Sequence, residues 1–330
     1  MAQVVLGMAL SHGPMLTTTP EQWGLRVPAD RAGKHPFRGR TWSFAELVEH
    51  RRAERLELQC APEVMRARHA ACQRALDRLA DVFDEVKPDA AVIFGNDQME
   101  VFHEPLIPAL SVMCGERIVN SELPAESMAK LPPGIAEAVP GYIPPGGASY
   151  AGAPELARHL IETLTADGFD LTTLKSFPKD ETPHAFGFIY RRVMRDKPIP
   201  SVPLLQNTFF PPNQPPARRC YDFGRAVTNA IRNWDKDARV ALFASGGLSH
   251  FVIDEQLDRP FLDALRGRSV AGVTGIREGL LQSGNSEIKN WIALSGAMSE
   301  TSFGFNQVDY VPCYRSEAGT GTANAFVFWR

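Results

Sequence analysis

Three of the eight histidines stand where a short apolar run ends. His12 follows the Val4–Leu10 run in Ser11-His12-Gly13-Pro14. His250 follows Arg239–Ala244 through the turn Ser245-Gly246-Gly247-Leu248-Ser249. His184 follows Phe169–Leu174 after a longer acidic loop, Asp180-Glu181-Thr182-Pro183. A fourth polar group, Asn96-Asp97-Gln98, follows Ala90–Phe94. Neutral imidazole is a common ligand for iron and zinc, so His12 reads as a metal ligand. The two glycines before His250 let the backbone turn tightly and approach a ligand, which suits a general acid/base or an oxygen-binding imidazole. Each residue also has a plainer reading: a structural His at a strand end, a capping His in a glycine turn, a solvated loop His at 184. Glu287 opens an apolar run, where an acidic residue simply complements a helix dipole. Only their combination favours chemistry.

The elements that would bring them together are legible as a pattern. Continuous apolar runs of strand length at Val4–Leu10, Ala90–Phe94, Phe169–Leu174, Pro203–Leu205 and Arg239–Ala244 predict strands covered on both faces. Between them, 3–4 spacing of apolar residues predicts helices. Ala61–Val86 carries Leu76, Leu79, Phe83 and Val86 on one stripe; further helices are expected over Pro154–Ala166, Tyr221–Trp234 and Ser286–Leu294, the last with Ser286 as N-cap and Glu287 in its first turn. Strands alternating with helices imply an α/β fold: one domain over residues 1–330, with a central, mostly parallel or mixed sheet flanked by helices. In such sheets ligands bind beyond the carboxyl ends of the strands, where these polar groups sit. Two irregular stretches interrupt the alternation. Thr17–Cys60 is polar with Trp23 and Trp42, and Val119–Gly152 is rich in Pro and Gly. Loops of this length serve as lids, binding loops or oligomer contacts; residues 17–60 are expected to form a lid or an oligomer contact.

Composition removes several classes. With 35 Lys+Arg against 38 Asp+Glu, the net charge of −3 offers no footprint for nucleic acid or anionic lipid. No apolar stretch approaches the roughly 18 residues that span a bilayer, and no secretory signal is visible. Five scattered cysteines, none spaced C-x-x-C, argue against a disulfide framework or a thiolate zinc site and fit a cytoplasmic location.

In that order, Ser11-His12-Gly13-Pro14, Asn96-Asp97, the His184 loop, Gly246-Gly247-Leu248-Ser249-His250, and Ser283-Gly284 through Glu287 to Trp291 with Gly296-Ala297 resemble the class III extradiol ring-cleavage dioxygenases, typified by the catalytic (beta) subunit of protocatechuate 4,5-dioxygenase. The resemblance runs from Val4 to Phe328. It implies a mononuclear non-haem Fe(II) held by two His and one Glu, with His12 and Glu287 as ligands, His250 as the catalytic His, and His184 as a catalytic, second-sphere substrate contact. It also implies substrate contacts near Gly319 and Thr320, where similar enzymes carry a Ser-Asn pair. One departure stands out. The family's second His ligand follows Asn-Asp, and here that place is Gln98. Gln98 itself, or His50, His103 or Glu100, is expected to fill it; His35 and His69 are nearby donors, His69 being least suited because it lies within a helix. The implied reaction is extradiol cleavage by O2 of a small aromatic with adjacent hydroxyl or oxo groups, either a catechol or a hydroxypyridine such as 3-hydroxy-4-pyridone. A metal-dependent hydrolase or lyase on the same sheet is the alternative that Gln98 supports. By analogy the chain forms a homo-oligomer, with or without a separate small subunit.

Overall fold

The computed structural model describes residues 1–104 and 106–330. Four parallel strands form its centre, in the order Gln3–Leu10, Arg239–Ser245, Ala90–Asn96, Ser201–Gln206. Antiparallel strands flank them. Thr320–Trp329 pairs with Gln3–Leu10 on one side and also with Phe305–Tyr314 and His250–Val252. On the other side Leu110–Met113 pairs antiparallel with Ser201–Gln206, and Thr172–Leu174 pairs parallel with Leu110–Met113. The nine-stranded sheet is therefore mixed, as the sequence led us to expect, and both ends of the chain run side by side in it.

Alternation along the strands explains why both faces are covered. Val92 and Phe94, with Val240, Leu242 and Ala244, join one apolar cluster, to which the helices Ala217–Arg232 and Ile288–Ser299 contribute Phe223, Val227, Trp291 and Ile292. Ala91 and Ile93, with Ala241 and Phe243, join a second cluster on the other face, under the stripe of Leu76, Leu79, Phe83 and Val86 from the Pro62–Val86 helix. Side chains of period two thus bury two helical layers.

Two glycines set how closely the first of these layers packs. A Cβ on Gly224 would lie 1.7 Å from the Ala293 carbonyl oxygen, and one on Gly296 would lie 1.9 Å from that of Tyr221. The Ala217–Arg232 and Ile288–Ser299 helices therefore cross backbone to backbone, which fixes the start of the second helix over the strand ends.

Several boundaries differ from the sequence pattern. The helix expected at Tyr221–Trp234 spans Ala217–Arg232. Ser286 is no N-cap: a 3-10 turn covers Ser283–Glu287, and Glu287 itself occupies the cap position of Ile288–Ser299 without a capping side-chain bond. The long strands Phe305–Tyr314 and Thr320–Trp329 carry no clear periodic signal, because the second is buried on both faces and the first includes Pro312, which an edge strand tolerates. The irregular stretches are partly ordered. A hairpin, Lys34–Phe37 with Arg40–Ser43, lies within residues 17–60, and a second, Arg117–Asn120 with Ala148–Ala151, brackets the other insertion. Among the described residues no helix is long and apolar enough to cross a membrane.

Candidate metal centre and active site

His12 leaves the end of the first strand, and its ring is oriented by its neighbour across the sheet. Ser245 Oγ donates to the Ala185 carbonyl oxygen at 2.6 Å, so it accepts from His12 Nδ1 at 2.9 Å. That leaves His12 Nε2 buried with no hydrogen-bond partner, 3.5 Å from Glu287 Oε1. Burial lowers the pKa of His12, which favours the neutral imidazole that a metal requires.

Glu287 is fully buried and tightly addressed. Its Oε1 accepts from Gln98 Nε2 at 2.7 Å and from Asn96 Nδ2 at 3.4 Å; its Oε2 accepts from the Gly247 amide at 2.7 Å. Burial alone would raise its pKa, yet His12 and His250 hold it far below the usual carboxylate range. The loops meeting here are locked from behind by the same helix. Asn290 Nδ2 donates to Asn96 Oδ1 and to the Ser245 carbonyl, and Trp291 Nε1 donates to the Gly246 carbonyl. Asn290 and Trp291 therefore tie the ends of two parallel strands to the helix that carries Glu287.

His184 opens the short helix His184–Phe188. Its ring lies edge-on to that of His12, centroids 4.5 Å apart. Glu100 grips it twice, accepting from the backbone amide at 3.0 Å and from Nδ1 at 2.8 Å. Burial opposes charge on this imidazole, but Glu100 outweighs it and raises the pKa to about 9. His12, His184 and Glu287 offer ligand atoms that all lie within 4.8 Å of one another.

His250 stands beside the cluster. Its Nδ1 is bound to the Leu248 carbonyl at 2.8 Å and its amide donates to Asn285 Oδ1, while Nε2 lies 3.5 Å from Glu287 Oε2. Space here is tight: a Cβ on Gly284 would lie 2.1 Å from the His250 carbonyl oxygen and 2.5 Å from its ring. Behind the turn, Asp258 accepts from the Ser249 amide and hydroxyl and from the Tyr310 hydroxyl. Burial pushes Asp258 up to about 7, its three donors notwithstanding. A folded-state pKa above the ordinary 3.8 means that Asp258 supports the fold fully below about pH 4 and loses that contribution as pH rises through about 7. The interval corresponds to at most about 4 kcal/mol. Asp258→Asn, which keeps an acceptor for the Ser249 amide, is expected to flatten the fall in melting temperature between pH 5 and pH 8; an unchanged slope would remove Asp258 as its source.

These groups face a cavity of about 530 Å³ that His12, Gln98, Glu100, His103, His184, His250 and Glu287 all line. Leu131, Ile135, Tyr142 and Ile143 of the Pro/Gly-rich insertion form an apolar wall, and Thr17 and Arg26 bring the other insertion to the same space. Other sequence-based candidates lie elsewhere. His50 stacks on Trp42 with centroids 4.5 Å apart, His35 Nε2 bonds the Asp30 carbonyl, and His69 packs near Trp23 and bonds Gln73. Gly319 and Thr320 are not on the cavity wall. Thr320 Oγ1 donates to Asp30 Oδ2, and the Gly319 carbonyl accepts from the Ile253 amide. Thr322 and Arg315 line the cavity instead, while Thr320 is turned to Asp30 of the insertion. Sequence reasoning named Asn96 only as part of a strand-end polar group and gave no role to Ser245 or Asn290; a buried polar residue at the end of a strand was the available signal for Ser245.

A family model described as "Catalytic LigB subunit of aromatic ring-opening dioxygenase" matches residues 69–328. The chain belongs to this family. It is also 30% identical over 187 residues to a gallate dioxygenase from Pseudomonas putida, an alignment covering 52% of each chain; the chain thus spans about half the length of that curated relative. Among solved structures it is similar to an uncharacterized protein, JW3007, from Escherichia coli K12. The TM-score is 0.48 at 15% identity, over 77% of this chain and 91% of the other. The family match begins inside the Pro62–Val86 helix, so His12 and the whole 17–60 insertion lie outside it, whereas His184, His250 and Glu287 lie within it.

Proposed function

We propose that this LigB-family chain, acting as one catalytic unit over residues 1–330, uses Fe(II) and O2 for extradiol cleavage of a small aromatic with adjacent hydroxyl or oxo groups. The observation that carries this reading is the buried, unpartnered His12 Nε2 facing Glu287 and His184 on one cavity wall. Two imidazoles and a carboxylate fit a facial iron site. His184 then moves from substrate contact to metal holder. Its pairing with Glu100 supports the reassignment, since a ligating His characteristically donates its other ring N–H to a carboxylate. Gln98 becomes a residue that orients Glu287 through its amide.

Bound there, Fe(II) supplies a centre where ring oxygens and O2 meet and through which electrons pass from one to the other. The chain does the rest. His250 Nε2 accepts the proton of a substrate hydroxyl and returns one later, with Nδ1 held by Leu248 so that only one nitrogen works. The apolar wall from Leu131 to Ile143 covers the ring and excludes water. The 17–60 segment serves as part of this enclosure.

Oxygen uptake with Fe(II) tests the proposal. Protocatechuate, gallate and 3-hydroxy-4-pyridone are each offered, and a ring-opened product containing both atoms of ¹⁸O2 is expected from at least one. Stoichiometric zinc with no oxygen uptake would replace it with the hydrolase or lyase reading.

A further inference from the structure

Arg26 and Lys179 are cations on the cavity wall without a salt bridge among the described residues, and of the two Arg26 carries the planar guanidinium and is half-buried. Its neighbour Arg315 is already engaged: Nε and Nη2 make a two-point pair with Asp30 at 2.7 and 2.8 Å, both residues being buried. Asp30 is used up by this pair, since its Oδ2 also accepts from Thr320. Among the described residues no carboxylate reaches Arg26. Burial and the Arg315 charge lower its pKa, partly offset by Asp30, but a guanidinium remains charged. The side chain is also held in place. A Cβ on Gly134 would lie 2.9 Å from both Cγ and Cδ of Arg26, so its stem runs against Gly134 of the opposite insertion.

Arg26 lines the same cavity as His12, Glu287 and His250. A half-buried guanidinium without a counter-ion is a receptor for a planar anion.

We propose that Arg26 selects substrates carrying a carboxylate on the ring, binding that group while the vicinal oxygens lie toward His12 and His250. The assignment deepens the dioxygenase reading and rests on it for the word substrate. It places the specificity residue in the insertion that precedes the family match, and it favours an aromatic acid over an uncharged hydroxypyridine.

Binding of non-oxidisable probes tests this without turnover. For the full chain as purified, 4-hydroxybenzoate is expected to bind at least about 10-fold more tightly than 4-hydroxybenzamide by calorimetry. Arg26→Gln is expected to weaken the acid about 10–100-fold and leave the amide within about twofold; Arg26→Lys keeps part of the preference, and unchanged melting temperatures show that both variants fold. Equal loss of acid and amide, a preference that survives in Arg26→Gln, loss in Lys179→Gln instead, or no preference in the parent chain would each overturn the role. If the preference follows Arg26 but no catechol is opened, the anion site stands and the dioxygenase reading falls.

Discussion

His184→Ala is expected to weaken binding of Fe(II), or of Co(II) as its spectroscopic substitute, by at least about 100-fold. Losing an outer partner of a metal-bound His costs about 10–100-fold in affinity, and losing the ligand itself costs more. The geometry behind this is the 4.8 Å cluster with His12 and Glu287, and the Glu100 carboxylate that engages Nδ1, so that Nε2 is the ring nitrogen left for a metal. The field of Glu100 and Glu287 that holds a proton on this imidazole equally favours a cation. Glu100→Gln, which keeps a hydrogen-bond acceptor but removes the charge, should fall between parent and His184→Ala. Gln98→Ala, which removes only an amide from Glu287, should cost about 10-fold or less. Titration calorimetry and the Co(II) absorption spectrum read all three. Should His184→Ala bind metal normally and raise only KM, His184 contacts substrate and the third ligand is another group.

His250→Ala is expected to retain its metal and lower kcat by about 10²–10⁴, the range for a positioned general acid/base. His250 is placed for that task by three restraints: the Leu248 carbonyl on Nδ1, Asn285 on its amide, and Gly284 against its ring. Its Nε2 is near Glu287 but outside the cluster of three. Metal content and kcat therefore separate in this variant and fall together in His184→Ala. A His250→Ala protein with full turnover, or one stripped of metal, would contradict the assignment.

What the sequence conveyed came from local pattern. Apolar runs of strand length, the Leu76–Val86 stripe and the glycine turn before His250 need only nearest neighbours along the chain to be read. The strand-end polar groups at His12 and Asn96–Gln98 were visible for the same reason. The C-terminal strands were not, because Thr320–Trp329 is buried on both faces, which erases alternation, and its partner Gln3–Leu10 is hundreds of residues away. By local pattern alone Glu287 read as an acidic residue opening a helix, its ligand role coming from the resemblance; its cap position, with the side chain turned to the site, depends on helices that cross at Gly224 and Gly296.

The sequence by itself determined the α/β class, the family resemblance, and His12, His250 and Glu287 as the residues to watch. It also exposed the question at Gln98, where a histidine is absent. Only the tertiary structure decided which groups converge. It brought His184 beside His12, set Glu100 behind it, moved Gly319 and Thr320 off the wall, and turned Arg26 of a polar insertion onto the cavity. The reason is that a ligand set is a matter of side-chain positions a few ångströms apart in space. Sequence spacing fixes such positions within one helix or strand, whereas this site is assembled from several loops whose meeting is set by the packing of the sheet beneath them.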